Sequence, residues 1–167
     1  VPLKSEVSHP HKRLQHLAGR YLLRVLFEDF PLHEILIADT RKPFLQNEQY
    51  HFSISHCGHY AAAIASATER VGVDIELITP KIEKIQHKFL GEAEWKLAAK
   101  SFRNPNSRLP TPDALLLTLL WSCKEAIFKW HGDGELDFKK HMQLTAIGRV
   151  DDGQLITIAL SFLKRTD

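Results

Sequence analysis

The chain has 167 residues, with 22 Lys and Arg against 20 Asp and Glu, for a formal net charge of +2. Hydrophobic residues make up 44% and charged residues 25%, which describes one globular domain with a core of its own and no need of disulfide or metal staples. The near-neutral balance argues against an electrostatically driven nucleic-acid binder, and the longest apolar stretch, residues 114–121, falls far short of the ~20 residues of a membrane span.

In chain order the elements predict an α+β fold. Residues 11–27 carry Leu14, Leu17, Ala18, Tyr21, Leu22, Val25 and Leu26, the spacing of an amphipathic helix. Residues 33–38 form a short apolar run that reads as a strand. Residues 50–55 and 60–67 flank a turn glycine, Gly58, and read as a hairpin. Residues 71–77 are β-branched and apolar except at Asp74 and Glu76, which predicts a third strand. Residues 91–102 read as helical, 104–112 as a proline-rich loop, and 113–130 as the longest helix, ended by Gly132 and Gly134. Residues 143–150 and 154–163 read as a closing hairpin through Asp151-Asp152-Gly153. The only Met is Met142, so Val1 is not an encoded start and the chain is expected to have lost its opening. Cys57 and Cys123 are expected to be thiols in a reducing, cytoplasmic setting.

Four groups of residues carry possible chemistry. On a strand Asp74 and Glu76 share a face about 7 Å apart, where two carboxylates repel unless water or a cation lies between them. A hard cation such as Mg²⁺ takes such oxygen ligands, although an Asp-x-Glu pair also suits an ordinary solvated strand face. On the longest helix Glu125 and Lys129 stand four apart and stack on one face. A surface ion pair is the bland reading, but Trp121, Phe128 and Trp130 surround them and point to a partly buried face. There a carboxylate can take a proton or bind metal while an ammonium neutralises a leaving group. Phe52-Ser53-Ile54-Ser55-His56-Cys57-Gly58 runs from a strand into a turn and suits an anion site. It matches no Cys/His zinc spacing, and adjacent Ser55 and His56 point to opposite strand faces, which disfavours a hydrolase pair. Finally Arg20 and Arg24 are helix neighbours, and Arg41-Lys42 precede a stiffening Pro43, arrangements that suit a phosphate.

In this order, Gly72-Val73-Asp74-Ile75-Glu76 and Trp121-Ser122-x-Lys124-Glu125-Ala126-x-x-Lys129 resemble the motifs of the 4′-phosphopantetheinyl transferase superfamily, with Arg41-Lys42-Pro43 and Phe52 to His56 similar to its nucleotide-side motifs and Leu17 to Arg20 similar to a further, looser element. The resemblance is closer to the broad-specificity monomeric class than to the small trimeric synthases. It implies an α+β fold of two pseudo-related halves, residues 1–70 (shortened at the start) and 71–167, with the active site between them. The implied reaction is Mg²⁺-dependent transfer of 4′-phosphopantetheine from coenzyme A to a serine of an apo acyl or peptidyl carrier protein, releasing 3′,5′-ADP; Mn²⁺ is an alternative metal. Asp74, Glu76 and Glu125 would hold the metal. Glu125, Lys129 and Asp74 would carry catalysis, with Glu125 accepting the serine proton and Lys129 stabilising the departing phosphate. Arg20, Arg41, Lys42, Ser53, Ser55, His56 and Lys129 would bind the coenzyme. The implied protein is a cytoplasmic monomer with no membrane or nucleic-acid partner. Two rivals are a coenzyme A-binding scaffold that has lost activity and a Mg²⁺-dependent phosphohydrolase. The retained charges Asp74, Glu125 and Lys129 weigh against the first, and the lack of a separate base for water against the second.

Overall fold

A computed structural model of the protein describes residues 9–101, 112–150 and 155–164. The proline-rich stretch 104–111 and the turn 151–153 lie outside them, as does Val1. The fold is α+β, and among the described residues its strands form three separate two-stranded antiparallel ladders. The chain divides into two units, Val1–Leu77 with Glu125–Gly134, and Ile78–Lys124 with Glu135–Asp167.

In the first unit, α1 (Pro10–Leu26) starts with proline in its first turn, where the missing N–H costs nothing. It packs on the hairpin of β3 (His51–Cys57) and β4 (Tyr60–Ser66). The apolar spacing identified this helix but not its buried face: Leu14, Leu17, Tyr21 and Val25 are exposed, and the buried residues are Gly19 and Leu23. The reason is close approach. The absent Cβ of Gly19 leaves the room that Ile54 of β3 fills, so the glycine line, and not the larger apolar stripe, turns inward.

The expected strand at 33–38 is shorter, a 3₁₀ turn at Leu32–Glu34 followed by β1 (Leu36–Ile37) paired with β2 (Pro43–Phe44). The hairpin β3–β4 pairs from His51↔Ser66 to Cys57↔Tyr60, so β3 runs further than expected and only Gly58 and His59 make the turn. Gly58 has φ 56, and its carbonyl accepts bonds from Gln15 Nε2 at 2.8 Å and from the His11 ring at 2.9 Å, tying the turn to α1. Leu23, Phe30, Leu45, Tyr50 and Phe52 form this unit's core.

The second unit holds α2 (Gln86–Phe89), α3 (Glu92–Ser101), the first part of α4 (Pro112–His131), β5 (Met142–Val150) and β6 (Leu155–Phe162). α3, α4 and the β5–β6 hairpin match the expected elements within a residue or two, whereas the short α2 was not expected. The apolar run of α4 is absorbed here: Ala114, Leu116, Leu117 and Leu120 are buried with Phe89, Leu90 and Leu144. No helix among the described residues is long and apolar enough to cross a membrane.

Candidate active site

Residues 71–77 alternate like a strand but pair with no backbone ladder, a departure from the sequence expectation. Their partner is a row of side chains. Strand periodicity puts Ser53 and Ser55 on one face of β3, and their hydroxyls accept the N–H groups of Val73 at 3.2 Å and Ile75 at 3.3 Å. Both bonds span 20 residues, so the segment runs parallel to β3. The Val73 and Ile75 amides that a ladder would have satisfied are met by serine oxygens.

This arrangement delivers Asp74. Its Oδ1 accepts the Ser55 hydroxyl at 2.9 Å and the Lys129 ammonium at 2.6 Å, and Lys129 also donates to Ser55 Oγ at 2.9 Å. The Asp74 side chain is 3% exposed and that of Lys129 26%. Asp74 Oδ2 is buried and has no hydrogen-bond partner. Gly72 makes room for the end of α4: a Cβ there would collide with the Ala126 carbonyl and stand 2.8 Å from the Trp130 nitrogen. Two residues beyond Asp74, Glu76 accepts the Cys57 thiol at 3.2 Å. Burial, with the Glu76 charge beside it, pushes that thiol's pKa up.

Glu125 lies half-buried one turn before Lys129. Burial first, then the charges of Asp74 and Glu76, raise its pKa, and Lys129 offsets part of the rise. A cleft of about 210 Å³ is lined by Glu125 and Lys129 on one side and by Ser53, Thr40, Arg41 and Lys42 on the other. A second pocket of about 200 Å³ is lined by His16, Arg20, Arg41 and His56, so Arg41 borders both. Arg20 Nε is buried there without a hydrogen-bond partner. The His16 and His56 rings meet edge to face with centroids 5.4 Å apart. Burial, then His56, Arg20 and Lys12, lower the His16 pKa.

Of the sequence-predicted residues, Ser55, Asp74 and Lys129 touch directly, with Glu125 coupled to them by charge. Ser53, Arg41 and Lys42 share the cleft with Glu125 and Lys129, while Arg20 and His56 share the neighbouring pocket. Among the described residues no three His, Cys, Asp or Glu converge in metal-ligating geometry, so Asp74, Glu76 and Glu125 are not preassembled as a ligand set. Sequence reasoning missed the Cys57–Glu76 bond, although the spacing Ser53-x-Ser55-x-Cys57 opposite Val73 to Leu77 carried its signal. It also missed that Lys42 Nζ, Thr40 Oγ1 and Arg70 Nη1 reach the carbonyls of Trp130, Gly132 and His131, at 3.4, 3.3 and 3.5 Å. These groups answer the carbonyls that every helix end leaves open. Lys124 had no role assigned. It is wholly buried in the second unit, with its ammonium on Glu94 Oε1 and the Phe89 carbonyl, each at 2.7 Å, and the Phe138 carbonyl at 3.0 Å.

The family model of the 4′-phosphopantetheinyl transferase superfamily matches residues 70–165, which include Asp74, Glu76, Glu125 and Lys129. The chain belongs to the 4′-phosphopantetheinyl transferase superfamily. It is 30% identical over 131 residues to the 4′-phosphopantetheinyl transferase AcpT of Escherichia coli (strain K12), covering 78% of this chain and 64% of that protein. It is 31% identical over 122 residues to enterobactin synthase component D of Salmonella austin, covering 73% of this chain and 49% of that protein. The chain thus spans less than two-thirds of the length of the first of these relatives and about half of the second.

Proposed function

We propose that this protein transfers the 4′-phosphopantetheine group of coenzyme A to a serine of an apo acyl or peptidyl carrier protein, releasing 3′,5′-ADP. The observation that carries the reading is the Asp74–Lys129–Ser55 cluster with half-buried Glu125, set on a cleft bordered by Arg41 and Lys42. Phosphoryl transfer asks the protein for positioning and charge more than for covalent help, and these are the groups the cluster supplies.

In this reading Arg20, Arg41, Lys42 and His56 hold the phosphates and adenine side of coenzyme A. The serine oxygen bonds to the β-phosphorus as the bond to the bridging oxygen of the 3′,5′-ADP leaving group breaks. Glu125 receives the serine proton, a task suited by a carboxyl whose proton affinity burial and neighbouring charges have raised. Lys129 leaves its contact with Asp74 to meet the charge that builds on the departing phosphate. The reaction belongs to a monomer in the cytosol.

The donor set also fits a hard divalent cation. Asp74 keeps one buried oxygen without a partner, and Glu125 feels the repulsion of both Asp74 and Glu76. Asp74 and Glu125, with Glu76 as third carboxylate or through water, would hold Mg²⁺ or Mn²⁺, which when bound supplies neutralisation of pyrophosphate charge.

One assay tests the proposal. The protein is incubated with coenzyme A, Mg²⁺ and an apo carrier protein, and the carrier is weighed by mass spectrometry. The phosphopantetheine mass increment is the expected result. No modification of several carrier types while coenzyme A still binds would overturn it in favour of an inactive scaffold. Phosphate release without a carrier would overturn it in favour of a hydrolase.

A further inference from the structure

Ser53 and Ser55 are almost wholly buried, 4% and 6% exposed, and their hydroxyls are already engaged. A serine hydroxyl offers one donor and two acceptor lone pairs. Ser55 spends its donor on Asp74 Oδ1 and accepts from Lys129 Nζ and from the Ile75 N–H, at 2.9, 2.9 and 3.3 Å. No capacity is left for a phosphate oxygen, which would in any case need a donor. Ser53 Oγ accepts the Val73 N–H.

We propose that Ser55 and Ser53 are positioning residues that clip the 71–77 segment to β3, with Ser55 also fixing Asp74 and Lys129 against each other, and that Ser55 does not bind the phosphates of coenzyme A. The kinetic part of this inference rests on the transferase reading above. The physical logic is that residues 71–77 have no ladder of their own, so the position of Asp74 depends on hydroxyls supplied from β3. A strand with small polar side chains at alternate positions acts here as a second hydrogen-bonding edge. Ser55 bonds at once to the Ile75 amide, to Asp74 and to Lys129. Its removal would free the Ile75 amide and loosen both charged groups at once, while the cations bordering the cleft stay in place.

The test uses Ser53→Ala, Ser55→Ala and Ser55→Thr in the full chain. Amide exchange is followed residue by residue by NMR, coenzyme A binding by calorimetry, and transfer by steady-state kinetics. Ser53→Ala is expected to speed exchange at Val73, and Ser55→Ala at Ile75, each by about tenfold or more. For Ser55→Ala the affinity for coenzyme A stays within about twofold, and kcat falls about 10- to 100-fold with KM for coenzyme A little changed, the loss expected of one hydrogen bond to charged groups. Ser55→Thr keeps the hydroxyl and restores both Ile75 protection and most of kcat. A Ser55→Ala variant that binds coenzyme A tenfold more weakly or more, with kcat intact, would make the serine a phosphate ligand and overturn the proposal. Unchanged exchange at Ile75 would overturn it too. Should the wild-type chain show no transfer, the transferase reading fails by itself, and the exchange and binding measurements still decide the role of the serines.

Discussion

Replacing Lys124 with methionine isolates the contribution of a buried charge that the sequence motif contains but does not explain. Methionine keeps an unbranched apolar stem of similar reach, so the change removes chiefly the ammonium. That ammonium uses its three N–H donors on Glu94 Oε1, the Phe89 carbonyl and the Phe138 carbonyl. Glu94 also accepts the Leu144 N–H at 2.9 Å on Oε1 and the Gly91 N–H at 2.8 Å on Oε2. After the change Glu94 keeps those two donors but loses its cation, and two carbonyls lose theirs. Removing one partner of a buried pair costs about 3–5 kcal/mol. Burial acts against the lysine's own charge, its pKa being lowered by desolvation with Glu94 pulling the other way, and that cost is recovered on removal. The net loss therefore falls near the lower limit, ~3 kcal/mol. For a chain of this size it lowers Tm by about 6–12 °C. Urea unfolding followed by tryptophan fluorescence measures it directly, since Trp95 and Trp121 pack on the surrounding core. Adding Glu94→Gln removes the stranded charge and is expected to recover about half of the loss. A single variant that costs less than about 1 kcal/mol, or a double variant no more stable than the single, refutes the reasoning.

Asp74→Ala and Glu125→Ala are each expected to reduce carrier modification by about 10³-fold or more, and a fully active Asp74→Ala would remove Asp74 from the chemistry. Lys129→Ala should slow transfer by about 10²-fold while changing Mg²⁺ affinity, read by calorimetry, much less; an unchanged rate excludes Lys129 from the mechanism. Gly72→Ala places a methyl group against the Ala126 carbonyl, a backbone atom that cannot swing aside, and should cost about 1–3 kcal/mol in thermal unfolding; a wild-type Tm would show that the approach of α4 is not tight. His16 supplies a pH dependence. Its folded pKa lies below the ordinary 6.5, so as pH falls under 6.5 the unfolded chain takes up a proton that the folded chain resists, and stability drops until the folded pKa is passed. His16→Gln should therefore lose less stability than wild type below pH 6.5, and parallel urea midpoints across that range would exclude His16 as a contributor.

What was legible in the sequence follows from range. The helix Pro112–His131, the hairpin His51–Cys57 with Tyr60–Ser66, and the closing hairpin are each specified by local periodicity and bounding glycines. The face that α1 buries is not local information. Its larger apolar stripe faces outward because Gly19 permits a contact with Ile54, 35 positions away along the sequence, that no bulky residue could make. The segment 71–77 shows the same limit in another form. Its β-branched alternation predicted a strand, and a strand ordinarily pairs in a ladder. Here its amides find serine hydroxyls, and alternation alone cannot tell a carbonyl partner from a hydroxyl one.

The identities of the charged residues at the site were readable, but the state of each atom was not, and the atoms decide what the site can do. Asp74 illustrates this. Two donors saturate Oδ1, while Oδ2 is buried with none. Buried polar atoms without a partner are few in folded proteins, so an orphaned oxygen on a carboxylate whose charge also repels Glu125 marks a place where positive charge is in demand. Lys129 meets only half of that demand. The ammonium that holds Asp74 is also the group that the proposed reaction needs on a phosphate. For Lys129 to move there, another cation must take over its place at Asp74, since leaving that carboxylate buried and uncompensated would cost more than the phosphate contact returns. In the proposed reaction a divalent cation is the candidate for that place, and the charge balance of Asp74, Glu125 and Lys129 supports the proposal.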